Sequence, residues 1–248
     1  MPLMRIPSLE NYSVYTTAEE LPENLRDHVF EIEGTGMEVF QHRATVQLMP
    51  LCLPLPVEEY IARWQEHVDA LLTQGRLQEY IYQHERAFRM ERLVELTREM
   101  AFPTMRDQVK FWNTARWTWT DSEMDESDPL WRDLLECGVP NRRAMMSHSD
   151  RAFVDALGEP LEVYRGGPVN VVDDPQEALS GGFSWTLDRK VAEKFARRYM
   201  RKGQRPVVLT HLIAKSDIIL YTNDRNEEEV LVDPDHVEWG WVQAEILS

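Results

Sequence analysis

The chain is poor in cysteine. Two occur in 248 residues, Cys52 and Cys137, far apart and each in apolar surroundings. There is no CxxC pair and no Cys/His cluster, so a disulfide framework and a zinc site are both disfavoured. This usage fits a reducing cytosol. Long apolar runs are also missing. The longest, Val46 to Val57, is too short to span a bilayer and is broken by Pro50, Pro54 and Pro56. The opening Met1-Pro-Leu-Met-Arg-Ile-Pro lacks the apolar core of a secretory signal. No GxGxxG fingerprint and no P-loop is present. Positive charge is scarce: Lys plus Arg is 27 against 43 for Asp plus Glu, a formal net charge of −16. That balance argues against broad, charge-driven binding to nucleic acid or anionic membrane, though not against a local basic patch. The expectation is a soluble cytoplasmic protein with no membrane partner and no metal.

Hydrophobic residues at 43% can supply a core, and charged residues at 28% are ordinary for a soluble protein. The length suits one large domain or two small ones. Along the first hundred residues, His28-Val-Phe-Glu-Ile, Glu33-Gly-Thr-Gly and Met37-Glu-Val-Phe predict a β-hairpin with a glycine turn. Ala44 to Met49 extends its second arm. From Val57 the period becomes helical: Tyr60, Ile61, Trp64, Val68, Leu71 and Leu72 share a face, and Gly75 sits where a C-cap would end that helix. A second helix is expected over 77–100. His67 and His84 lie in these helices without a second ligand at metal spacing and read as structural or surface residues. Phe102-Pro103 breaks the pattern, so residues 1–102 form a hairpin and helical region of unassigned role, and 103–248 a second domain.

That second domain begins with the tryptophan-rich Val109 to Thr120, whose rings could stack bases but more often fill a core. The acidic run 121–128 reads as a solvated loop. A short helix begins at Pro129 and a further one covers 142–157. Then the texture changes. Leu161 to Gly167, Gly181 to Thr186, Pro206 to Ile213, Asp217 to Tyr221, Val230 to Val232 and Val237 to Ile246 read as strands. One amphipathic helix interrupts them, capped by Asp188, with Val191, Ala192, Phe195 and Tyr199 inward and a basic outer face. Without a βαβ rhythm the fold class is α+β with a mostly antiparallel sheet.

The chemistry gathers at Asn226-Glu227-Glu228-Glu229-Val230-Leu231-Val232-Asp233-Pro234. If the run is strand, Glu227 and Glu229 share one side and Glu228 takes the other. Adjacent carboxylates at the head of a buried strand repel and lose hydration, a cost that a cationic ligand or transition state relieves. A solvated acidic turn is the plain alternative. Two further features precede it in order: Arg165 at the end of a strand, and the hydroxyls Ser184 and Thr186 just before the basic helix.

This ordered set resembles the ADP-ribosyltransferases of the arginine–serine–glutamate class, and small phage and prophage proteins of that kind. Tyr164-Arg165-Gly166, Ser184-Trp185-Thr186-Leu187-Asp188-Arg189 and Glu229-Val-Leu-Val-Asp-Pro carry the likeness, which covers roughly Leu161 to the C-terminus. The resemblance implies a split β-sandwich and transfer of ADP-ribose from NAD, without a metal, to a protein side chain such as arginine. Glu229 would stabilise the cation that develops on the ribose. Glu227 would orient or deprotonate an arginine acceptor. Arg165 would hold the pyrophosphate or adenylate side of NAD, and Gly166 would let the backbone approach the nicotinamide. Ser184 would position Glu229 and the ribose, and Thr186 would hold the strand or start the next helix. Trp185 stands at the middle of the family's hydroxyl motif, where it would pack in the core or stack on nicotinamide. The same core could act on RNA or DNA bases, or survive as a catalytically silent binding or virion protein.

Overall fold

A computed structural model describes residues 12–14, 18–32, 34–44, 52–54, 57–121 and 129–248. The expected continuation over 45–49 and the acidic run 122–128 lie outside them. No described helix is long and apolar enough to cross a membrane. The chain divides into two compact units, residues 1–92 and 93–248.

The first unit holds strands β1 (Tyr12–Val14), β2 (Val29–Ile32), β3 (Met37–Phe40) and β4 (Cys52–Pro54). β1 pairs with β4, and β2 with β3, both antiparallel. The β2–β3 turn needs Gly34 and Gly36, whose φ of 76° and 67° lie in the left-handed region. Helix α1 (Val57–Thr73) follows and buries Trp64, Val68 and Leu71. It ends at Gly75, φ 66°, where the Gly75 and Arg76 N–H groups close back on Leu72 and Leu71. The single helix expected over 77–100 is two, α2 (Leu77–Tyr82) and α3 (Arg86–Glu99). The reason is local: the Glu85 N–H leaves the helical ladder for the Arg43 carbonyl, and the Trp64 indole takes the Gln83 carbonyl. His84 is buried between Trp64 and Tyr80, with Nδ1 3.0 Å from the Tyr80 carbonyl, and His67 is exposed. The boundary between the units falls inside α3, ahead of Phe102-Pro103.

The second unit is mixed α+β. Its leading helices are α4 (Met105–Asp121), α5 (Pro129–Leu135) and α6 (His148–Ala156). The tryptophan-rich stretch is α4, which buries Phe111, Trp112, Ala115 and Trp119. The helix expected over 142–157 is interrupted. A 3-10 turn, Arg142–Met145, precedes α6, because Ser147 and Asp150 form a reciprocal capping box that starts a new helix.

Then come β5 (Leu161–Asn170), α7 (Pro175–Leu179), β6 (Ser184–Thr186), α8 (Arg189–Arg197), β7 (Gln204–Ile213), β8 (Ile218–Thr222), β9 (Glu229–Val232) and β10 (Gln243–Ile246). All six strands join one antiparallel sheet in the order β10-β7-β5-β6-β9-β8. It is pinched in the middle. β5 pairs with β7 along its whole length but with β6 only at Tyr164 and Thr186. β5 runs through Gly166 and Gly167 instead of stopping there, so Arg165 lies mid-strand, beside this seam. One row of cross-strand neighbours crosses all six strands: Gln243, Thr210, Tyr164, Thr186, Glu229 and Thr222.

Helix α8 covers the sheet. The Asp188 carboxylate caps it by accepting from the Lys190 N–H, and Ala192 and Ala196 pack on Val208. A Cβ on Gly166 would lie 1.7 Å from the Ala192 carbonyl oxygen, so strand and helix backbones touch there only because residue 166 is glycine. Tyr199, expected on the inner face, is 80% exposed. The helix has ended by Arg198, and Tyr199 turns out with φ 58°.

Candidate functional site

Glu229 is the first residue of β9 and only 4% exposed. A buried carboxylate needs donors to replace lost water. Its Oε1 accepts from Ser184 Oγ at 2.7 Å and from the Trp119 indole N–H at 3.2 Å. Its Oε2 accepts from Arg225 Nη2 at 3.0 Å. Arg225 also reaches Glu227 Oε2 through Nε at 2.9 Å.

The two carboxylates therefore converge, but not for the reason the strand period gives. Glu227 stands in a turn before the strand begins. Asn226 and Glu228 have φ of 56° and 44°, a left-handed conformation that Asn tolerates and that costs a residue such as Glu on the order of 1–3 kcal/mol. The surroundings over-determine it. Thr186 Oγ1 donates to the Glu227 carbonyl at 2.6 Å, the Leu187 N–H to the Glu228 carbonyl at 3.1 Å, and the Glu228 N–H to Asn223 Oδ1 at 3.1 Å. Strain held in this way is common at functional sites. Glu228 acts on the other side. Burial first, then the charges of Glu228 and Asp150, push the Tyr221 phenol up to about 12.

Ser184 and Thr186 open and close β6. Thr186 bonds the Glu227 turn on one side and accepts from the Asp188 N–H at 3.0 Å on the other, so it joins that turn to the start of α8. Arg165 points its guanidinium across the seam and donates through Nη1 to the Ser184 carbonyl at 2.5 Å. Gly182 makes room for it, since a Cβ there would fall 1.9 Å from Arg165 Nη2. Arg165, Ser184 and Glu229 thus form one hydrogen-bonded chain. Gly166 lines the same cleft, but the space left by its missing side chain is filled by the α8 backbone and is not open to a ligand. Trp185 is buried, with His211 at 6.1 Å and Trp239 at 6.3 Å between ring centroids, and it also contributes to the lining of the seam cleft.

The cleft at the seam encloses about 80 Å³ and is lined by Arg165, Gly166, Ser184, Thr186, Glu227 and Glu229 together with the inner face of α8. A larger cavity of about 630 Å³ lies between Arg142, Arg143, Glu159 and Lys215. It contains none of the residues singled out in the sequence. The polar convergence is at the seam.

Three contributors are missing from the set of residues that the sequence picks out. Trp119 sits 110 positions before its carboxylate. Its helical spacing from Phe111 and Ala115 marks a buried face, but nothing in the sequence aims its N–H at Glu229. Gly182 looks like one more strand-end glycine. Arg225 alone has a local signal that could have found it, since Arg-x-Glu-x-Glu spacing places a cation next to two anions. A fourth residue, Arg116, ties the framework together through Asp150 at 2.5 Å, Asp224 at 3.0 Å and Thr222 at 3.2 Å. Burial alone would raise the Asp150 carboxyl, but the bonds from Ser147 and Arg116 outweigh it and hold it below the usual aspartate range.

The basic face of α8 is partly neutralised within the chain. Arg189 pairs with Glu193 and Glu245, and Arg197 donates to the Ser248 carbonyl. Among the described residues no group of three or more His, Cys, Asp or Glu is placed to hold a metal. No protein-family model, no curated protein and no solved structure matches this chain.

Proposed function

We propose that the second unit is an NAD-dependent mono-ADP-ribosyltransferase built on a split β-sandwich, with its reacting centre at the pinched seam. The observation that carries this reading is the linked set of Arg165, Ser184 and Glu229. Those side chains, at residues 165, 184 and 229, meet in one cleft through the bonds described above. A serine donating to a buried glutamate fixes the carboxylate without discharging it. A fixed anion is what a reaction that develops positive charge on a ribose requires.

In this reading Glu229 faces the anomeric carbon as the bond to nicotinamide breaks and its electron pair leaves with the nicotinamide. Glu227 receives the proton that an arginine acceptor loses when its nitrogen attacks that carbon. Ser184 holds Glu229 at Oε1. Arg165 stiffens β6 and presents the rest of its guanidinium to phosphate. The cleft is far below the roughly 300–1,000 Å³ that encloses a whole drug-sized ligand. It would seat the nicotinamide–ribose end, with the adenylate half lying outside. A protein acceptor such as a bacterial host protein suits this reading better than a nucleic acid, because the arginines of α8 are partly paired within the chain and the net charge is −16.

The test is transfer of labelled ADP-ribose from NAD to an arginine-containing peptide and, in parallel, to an RNA oligonucleotide. Label on the peptide supports the assignment. Label on RNA alone moves the acceptor to bases, and label on neither, with no nicotinamide released, removes the enzyme assignment.

A further inference from the structure

Resting on that reading, we propose that Glu227 and Glu229 form a guanidinium-binding site, and that Arg225 is its internal occupant, a gate that must leave before an acceptor arginine enters. Arg225 spans both carboxylates with one edge of its guanidinium, Nε to Glu227 Oε2 at 2.9 Å and Nη2 to Glu229 Oε2 at 3.0 Å. Those are the two groups to which the reaction assigns the acceptor and the ribose.

The three side chains differ in exposure and anchoring. Glu229 is 5% exposed at its side chain and anchored at its other oxygen by Ser184 and Trp119. Glu227 is 21% exposed and its backbone carbonyl is held by Thr186. Arg225 is 42% exposed. The carboxylates belong to the framework, and the arginine is the part able to swing out into solvent.

Mass action opens this gate. A tethered occupant competes at an effective concentration of the order of millimolar or higher. An acceptor arginine must exceed that, or bring further contacts from its own protein. Free arginine is then a poor acceptor, and an arginine displayed on a docked protein surface a good one.

The experiment is chemical rescue on the full chain. Thermal unfolding of wild type, Arg225→Ala and Arg225→Lys is followed with a few millimolar methylguanidinium chloride or, at equal ionic strength, methylammonium chloride. Arg225→Ala is expected to unfold at a lower temperature than wild type, and methylguanidinium to restore most of that loss. Methylammonium should restore little, and neither salt should move wild type or Arg225→Lys. In transfer assays Arg225→Ala should lower the KM for a small guanidine acceptor about tenfold. Should Arg225→Ala fail to fold, Arg225→Gln, which keeps the aliphatic stem, is expected to give the same pattern. Equal rescue by both cations, or none by methylguanidinium, overturns the gate. That result leaves the enzyme assignment standing if wild type still releases nicotinamide. Rescue without nicotinamide release from any variant keeps the guanidinium site and sinks the enzyme.

Discussion

Replacing Trp119 by phenylalanine isolates the contact that sequence reading missed. The ring stays, so the α4 packing largely survives, but the indole N–H to Glu229 Oε1 is lost. A hydrogen bond to a charged group contributes about 1.5–3 kcal/mol, and this one, at 3.2 Å, belongs at the lower end. The smaller ring adds roughly 1 kcal/mol of lost packing at a site 5% exposed. The total is about 2.5 kcal/mol, or roughly 5–10 °C in the midpoint of a domain this size. A double-mutant cycle with Glu229→Gln separates the two parts. The Gln amide oxygen still accepts, so the coupling reports the charge-dependent share, about 1 kcal/mol. Urea unfolding of the four proteins at pH 7 provides the numbers. Tryptophan fluorescence is the probe, since of eight tryptophans only Trp64 precedes the boundary between the units. A coupling energy within about 0.3 kcal/mol of zero would refute the claim that Trp119 holds the carboxylate.

Other consequences follow from the same geometry. Gly166→Ala should destabilise more than Gly182→Ala, because the new methyl meets the α8 backbone in the first case and the movable Arg165 side chain in the second. Overpacking against backbone costs about 3 kcal/mol or more, and the comparison is made by urea denaturation. In the first unit, burial above all, then His28, Arg43 and His84, pushes His42 down to about 4. The neutral ring is the folded form, so its stabilisation is full above the ordinary histidine pKa of about 6.5 and is lost as pH falls through about 4. Unfolding midpoints across that window should decline in wild type and decline less in His42→Gln. Glu227→Gln should impair transfer to arginine more than hydrolysis of NAD. Equal loss of both would show that Glu227 does not serve the acceptor.

How much of this was readable beforehand depends on range. The hairpin at Gly34 and Gly36, the cap at Gly75 and the Asp188 start of α8 are local signals, and each lies within a few residues of its cause. The antiparallel α+β class follows from strands without a βαβ rhythm, and the order of Arg165, Ser184 and Glu229 along the chain is visible as a motif set. What stayed hidden is non-local or depends on backbone angle. The break between α2 and α3 is set by Arg43, and the inner partner of Glu229 is Trp119, more than a hundred positions away. The pairing of Glu227 with Glu229 was anticipated from a strand pleat but arises from left-handed residues 226 and 228. The close approach of the α8 backbone to β5 at Gly166 has no local signal either.

The most direct test of the central claim is nicotinamide release from NAD, measured by chromatography on wild type and on Glu229→Gln of matched circular dichroism, with an arginine-bearing protein present. Release by wild type, reduced about a hundredfold or more in the variant, is the outcome expected of a fixed anion facing a developing cation. No release above blank from wild type, or equal release from both proteins, contradicts it.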